Sequence, residues 1–144
     1  MIVFDLDNTL RKTEGDYPYT PFGLGSDSGD MVNWVTWQKF VNDNGVPIEH
    51  IVKLYHTIYE CDAIVILTSS QFGTREWLCK YDITIPDGIE ERSVGNNLSS
   101  TEYKKPFIDE NKDDITLWVD DCIKTCDYVE SLGIPVVRVL TGRK

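Results

Sequence analysis

The stretch Ile2-Val3-Phe4-Asp5-Leu6-Asp7-Asn8-Thr9-Leu10 decides how this chain is read. An apolar strand runs straight into two carboxylates spaced two residues apart. Burying ionised carboxylates costs several kcal/mol unless they are paired, hydrogen-bonded or bound to metal. The pattern recurs at Ile115-Thr116-Leu117-Trp118-Val119-Asp120-Asp121, and a third apolar run, Ile64-Val65-Ile66-Leu67, ends in the hydroxyls of Thr68 and Ser69. A hard cation with oxygen ligands is the natural remedy for such acidic strand ends. Mg²⁺ characteristically takes one or two carboxylates together with water and substrate phosphate.

Outward from the first strand, taken as 1–6, strand-like runs alternate with helix-like periodic segments. Residues 11–30, rich in Gly, Pro, Asp and Ser, read as a long loop of the kind that is functional or mobile. Helices follow over 31–42 and 48–61, the second with Ile51, Leu54, Tyr55, Ile58 and Tyr59 on one face. A strand over 63–68, a short helix over 74–81 and a brief strand over 83–85 come next. A helix over 100–111 opens on the polar run Ser99-Ser100-Thr101-Glu102. The chain finishes with a strand over 115–119, a helix over 122–132 ended by Gly133, and a strand over 135–140. Alternation of this kind predicts an α/β fold, a three-layer sandwich around a five-stranded, mostly parallel sheet, in one domain spanning 1–144. Ligands of such sheets bind beyond the carboxyl ends of the strands, at the point where strand order reverses.

Composition narrows the function classes. With 41% hydrophobic and 26% charged residues the chain is expected to be a soluble globular protein. No apolar run approaches the roughly 20 residues that span a bilayer. The first apolar stretch is too short and too acidic for a signal peptide, so a cytoplasmic location is expected, with no membrane partner and no obligate protein partner. The four cysteines are expected to be reduced. Cys122 and Cys126 lie one helical turn apart but lack the second half of a metal site, so packing is their expected role. A formal net charge of −10 disfavours a surface that wraps nucleic-acid backbone, while leaving room for a small basic pocket.

The residues quoted above resemble the motifs of the haloacid-dehalogenase (HAD) superfamily of phosphatases, whose fold is a Rossmann-like sandwich of this type. The segment from Ile2 to Leu10 looks like the first motif, an apolar strand ending in Asp-x-Asp-x-Thr. The run ending in Thr68 and Ser69 is similar to the second, and the run ending in Asp120 and Asp121 resembles the fourth. For the third motif, a lysine, the adjacent Lys104 and Lys105 are both candidates. Lys105 precedes Pro106, a common superfamily pattern, whereas Glu102-Tyr103-Lys104 followed by Phe107-Ile108 suits closer relatives and favours Lys104. Neighbours on a helix point about 100° apart, so only one of the two faces the carboxylates.

Those closer relatives are the phosphatase domains of phage-type polynucleotide kinase/phosphatases and small phage proteins similar to them. Secondary markers of the resemblance are Trp37-Gln38-Lys39-Phe40, Gly45-Val46-Pro47-Ile48, Thr74-Arg75-Glu76-Trp77-Leu78 and Gly133-Ile134-Pro135. The relatives commonly carry an arginine two residues after the hydroxyl of the second motif. Here that position is Ser70, so either Arg75 or Arg92 replaces the arginine or the substrate differs.

The resemblance implies an Mg²⁺-dependent phosphomonoester hydrolase. Asp5 would attack phosphorus and carry an aspartyl-phosphate. Asp7 would protonate the leaving alcohol and then activate water. Thr68 would hydrogen-bond the transferring group, Thr9, Ser69, Arg75 and Arg92 are substrate-binding candidates, and the motif lysine would offset the charge. Asp5, the main-chain carbonyl of Asp7 and a motif-four acid would hold the metal. Asp121 is preferred over Asp120 there, with Asp120 orienting the lysine or a metal-bound water. Little room for an inserted lid remains, so a minimal cap is expected. An open site suits a phosphorylated nucleic-acid end, a polynucleotide 3′-phosphate first and a nucleoside monophosphate second.

Plainer roles compete with these. Asp120 or Asp121 would serve as a helix N-cap, Thr68 and Ser69 as turn residues, and the lysine pair as a solvated helix face. Trp34, Trp37 and Phe40 fall at helical spacing and read as core before base-stacking platform. A catalytically silent protein on the same fold and a dehalogenase are the alternative function classes. The intact Asp5, Thr68, lysine and Asp121 argue against the first, and Asp7 argues against both.

Overall fold

The computed structural model describes residues 1–13, 31–93 and 98–140, with backbone only for 31–34. In chain order the elements are β1 (Ile2–Phe4), β2 (Arg11–Lys12), α1 (Met31–Asn44), β3 (Val46–Pro47), α2 (Glu49–Ile58), β4 (Ile64–Thr68), α3 (Thr74–Lys80), β5 (Gly88–Glu91), α4 (Ser100–Asn111), β6 (Leu117–Asp120), α5 (Ile123–Ser131) and β7 (Val136–Arg138). Five strands form one sheet in the order β5-β4-β1-β6-β7, and every pairing in it is parallel. This is the predicted α/β fold.

Strand alternation sorts the core into two faces. Ile2 and Phe4 of β1, with Ile64 and Ile66 of β4, pack against Ile51, Val52 and Tyr55 of α2 and Trp77 and Leu78 of α3. Val3, Leu67 and Trp118 point the other way, onto Ile108 of α4 and Val129 of α5. Helices therefore cover both faces, as parallel sheets require. The chain leaves β1 for β4 and β5 on one side, then returns to β6 and β7 on the other, so strand order reverses at β1.

Two expectations are corrected. The third sheet strand is Gly88–Glu91, where 83–85 was expected. Ile83 packs into the core after a left-handed turn at Asp82, φ 56°, so its apolarity marks burial in a turn. The true edge strand carries Glu90 and Glu91, a pattern that protects an edge and hides the strand from hydrophobicity. Arg11 and Lys12 do not open a loop, because they pair antiparallel with Val46 and Pro47. Among the described side chains of α1, Gln38 and Val41 are buried and Trp37 and Phe40 half-buried, while the side chain of Trp34 lies outside the described residues. The remainder of the expected loop, residues 14–30, and with it the question of the cap, lies outside the described residues. Among the described residues no helix is long and apolar enough to cross a membrane.

Candidate active site

The carboxyl ends of β1, β4 and β6 lie side by side and bring the motif residues together. Asp5 follows β1, Thr68 closes β4, and Asp120 closes β6. Carboxylate oxygens of Asp5, Asp120 and Asp121 lie within 4.8 Å of one another. Lys104 reaches them from α4, where Ser99 caps the helix by accepting from the Glu102 amide at 3.2 Å. The Ser69 and Ser100 hydroxyls, 2.7 Å apart, tie the turn after β4 to the first residue of that helix.

Lys104 Nζ donates to Asp5 Oδ1 at 2.9 Å and to Asp120 Oδ2 at 3.2 Å, and all three residues are buried. Burial alone would lower the Lys104 pKa, but the charges of Asp120 and Asp5 together outweigh it and hold the ammonium above its ordinary range. Lys105 points elsewhere, to Glu102 at 2.9 Å and over the Tyr128 ring. The structure thus brings Lys104 to the carboxylates and leaves Lys105 on the outer side of α4.

Both oxygens of Asp120 accept from protein donors. Oδ2 accepts from Lys104 and from Trp118 Nε1 at 3.1 Å, and Oδ1 accepts from the Cys122 amide at 3.0 Å. Asp120 therefore orients the lysine and fixes the turn that leads into α5; α5 itself has no side-chain cap. Trp118 was missed by the sequence reading, although residues two apart on a strand share a face. Asp5 Oδ2 accepts from Thr9 Oγ1 at 3.3 Å. Thr68 Oγ1 accepts from the Ser70 amide at 3.0 Å, which leaves its own proton to donate.

Burial pushes the Asp5 carboxyl well above its ordinary range; Asp120 adds to this, Lys104 opposes it, and Asp121 adds again. Among the described residues, three clustered carboxylates face the Lys104 ammonium, an excess of negative charge. An all-oxygen donor set of this kind fits Mg²⁺ by hardness and charge. Asp5, Asp120 and Asp121 together make up that donor set.

Asp7 Oδ1 accepts from Arg11 Nε at 2.8 Å and Oδ2 from Ser70 Oγ at 2.8 Å. The guanidinium beside Ser70 thus comes from Arg11, which the sequence reading passed over as the start of a loop. Of the two expected replacements, Arg75 is exposed on α3. Arg92 is buried, donates from Nη1 to the Leu98 carbonyl at 3.0 Å and lies over the Tyr103 ring.

No family model and no curated protein matches the chain. Solved structures do. A HAD family enzyme from Bacteroides thetaiotaomicron, determined with magnesium and inorganic phosphate, is 13% identical with a TM-score of 0.62, covering 99% of this chain and 95% of that one. A chain of the Pnkp1/Rnl/Hen1 RNA repair complex is 18% identical with a TM-score of 0.69, and 96% of this chain covers 41% of it. A second structure of the Pnkp1/Rnl/Hen1 complex gives 18% and 0.66, with 44% of that chain covered. The chain therefore spans less than half the length of the Pnkp1/Rnl/Hen1 chains it matches. The likeness at these identities is one of fold: this chain has the fold of the HAD family enzyme.

Proposed function

We propose that the protein is an Mg²⁺-dependent phosphomonoester hydrolase that works through an aspartyl-phosphate on Asp5. The observation that carries this reading is Asp5 at the carboxyl end of the central strand, ion-paired to Lys104 at 2.9 Å and clustered with Asp120 and Asp121. An Asp5 oxygen forms a bond to phosphorus while the bond from phosphorus to the leaving alcohol breaks. Asp7 gives its proton to that alcohol. Water then attacks the phosphoenzyme as Asp7 takes the proton back, releasing phosphate and regenerating Asp5. Lys104 and the Thr68 hydroxyl offset charge on the phosphoryl oxygens. Mg²⁺, held by Asp5, Asp121 and the Asp7 carbonyl, would supply Lewis-acid neutralisation of the phosphate. Asp120 holds Lys104 in place.

For the substrate, a polynucleotide 3′-phosphate comes first, supported by the fold shared with a chain of an RNA repair complex. A nucleoside monophosphate comes second. The deciding experiment is a phosphate-release screen over nucleotides, 3′- and 5′-phosphorylated oligonucleotides and sugar phosphates, run with and without EDTA and repeated with Asp5→Asn. Turnover that needs Mg²⁺ and is abolished by the substitution is expected. An active Asp5→Asn protein would remove the nucleophile from the scheme.

A further inference from the structure

Arg11 has no solvent exposure, and the chemistry above gives it no task. A guanidinium withdrawn from water costs several kcal/mol unless its donors are matched, and here each nitrogen has a partner. Nε donates to Asp7 Oδ1 at 2.8 Å, Nη1 to Asn42 Oδ1 at 2.9 Å, and Nη2 to Ser70 Oγ at 3.0 Å. The Ser70 hydroxyl in turn donates a hydrogen bond to Asp7 Oδ2 at 2.8 Å. Guanidinium, hydroxyl and carboxylate close a ring that grips both oxygens of Asp7.

The surrounding fold is shaped to hold that grip. Asn8 takes a left-handed φ of 61°, and the Leu6 carbonyl accepts from the amides of Thr9, Leu10 and Arg11, turning the chain back so that Arg11 lies beside Asp7. The arginine stem crosses Gly45, where a Cβ would come within 2.7 Å of Arg11 Cδ. Its guanidinium carbon sits 5.3 Å from the centre of a Trp77 ring, and Trp77 Nε1 donates to the Gly45 carbonyl at 2.9 Å. Asn42 is itself fixed by Gln38 Nε2 at 3.0 Å and by the Phe72 carbonyl at 3.0 Å. Arg11 therefore has one place to be.

Resting on the phosphohydrolase reading, we propose that Arg11 is the positioning residue for Asp7, with Ser70 as its second arm. A carboxylate offers about four lone-pair sites, and Arg11 and Ser70 occupy one on each oxygen. The Asp7 side chain is 20% exposed while that of Arg11 is fully buried, so the remaining sites lie on the open side. The grip sets the direction in which Asp7 delivers its proton to the leaving group. When Asp7 has given up that proton, the same two donors stabilise the carboxylate left behind. Arg11 acts through Asp7.

The test is the full-length protein with Mg²⁺, assayed on p-nitrophenyl phosphate, whose leaving group needs little protonation, and on a nucleoside 3′-phosphate, whose alcohol needs it fully. Values of kcat/KM are compared, because they report the step in which the leaving group departs. Arg11→Lys keeps the charge but loses the fork, and Ser70→Ala removes only the second arm. Since general acid catalysis contributes about 10²–10⁴-fold, Arg11→Lys should lose at least about tenfold more on the nucleotide than on the nitrophenyl ester. Ser70→Ala should lose about threefold more. Asp7→Asn sets the ceiling of that ratio. Partial unfolding scales both substrates alike and leaves the ratio at one, so equal losses overturn the positioning role alone. A wild type that hydrolyses neither ester, nor any substrate of the wider screen, overturns the phosphohydrolase reading and the positioning role with it.

Discussion

Lys104 and Asp5 stand 99 residues apart in sequence and 2.9 Å apart in space. The pair exists because a helix following the edge strand returns over the sheet and lays one buried ammonium beneath the carboxylates of two adjacent strands. Removing the cation would leave Asp5 and Asp120 facing each other uncompensated, which costs on the order of 3–5 kcal/mol for a buried pair. Lys104→Met should lower the melting temperature and reduce kcat by about 100-fold or more. Lys105→Met should leave kcat within about twofold, because its exposed pairing with Glu102 is worth under about 1 kcal/mol. Thermal melts and steady-state kinetics on the two variants check this, and a larger catalytic loss from Lys105→Met would exchange the roles of the two lysines.

Metal dependence should separate the two motif-four acids. Asp120 already spends both oxygens on Lys104, Trp118 and the Cys122 amide. Asp121→Ala should therefore raise the Mg²⁺ concentration needed for half-maximal activity by about tenfold or more, and weaken the Mg²⁺-induced rise in melting temperature. Asp120→Ala should act mainly by freeing Lys104, lowering stability and kcat with a smaller change in Mg²⁺ requirement. Mg²⁺ titrations followed by both activity and melting temperature read the difference. If Asp120→Ala proves the more metal-sensitive, the assignments are reversed.

Alkaline stability should track Cys126. Its thiol is buried on α5 and donates to the Asp120 carbonyl at 3.6 Å; burial, and after it the Asp120 charge, push its pKa up to about 12. Because the folded value is raised above the unfolded one, about 8.5, its contribution is fully present below that lower value. It is lost as pH rises from there through about 12. Tyr55, raised chiefly by burial, acts in the same direction. The melting temperature should fall across this range, less steeply in Cys126→Ala. At pH 8 (about the ordinary thiol value), iodoacetamide should label the exposed Cys61 and Cys79 and reach Cys126 only after denaturation. Mass spectrometry showing native Cys126 labelled as fast as Cys79 would contradict this.

What the sequence made legible was whatever depends on local pattern. Apolar runs ending in acids located β1 and β6, one ending in hydroxyls located β4, and a polar run capped the helix that carries Lys104. Illegible features depended on chain reversal or on edges. Edge strand β5 offers only Ile89 as an aliphatic side chain between Gly88 and two glutamates, so its pairing with Val65–Thr68 leaves no hydrophobic signature. Arg11 was invisible because its role arises from the left-handed turn at Asn8, which folds a residue four positions on against Asp7. A cation directly after an acidic motif is the only local hint, and it reads equally well as a solvated loop.

The substrate prediction follows from what surrounds the site. Arg75 is exposed on α3, while Arg92 is buried and committed to the Leu98 carbonyl and the Tyr103 ring. An oligonucleotide drawing binding energy from contacts remote from phosphorus should show a higher kcat/KM than a mononucleotide. Arg75→Ala should reduce that advantage while affecting a small generic ester little. Arg92→Ala should damage the fold first, lowering the melting temperature and turnover of all esters together. With a net charge of −10 few phosphate contacts are available, so affinity for the oligonucleotide should fall only shallowly with salt. Kinetics on a 3′-phosphorylated oligonucleotide, a nucleoside monophosphate and p-nitrophenyl phosphate at two ionic strengths decide the matter. A clear preference for the mononucleotide would reject the polynucleotide reading in favour of a nucleotidase, because remote contacts would then contribute nothing to transition-state binding.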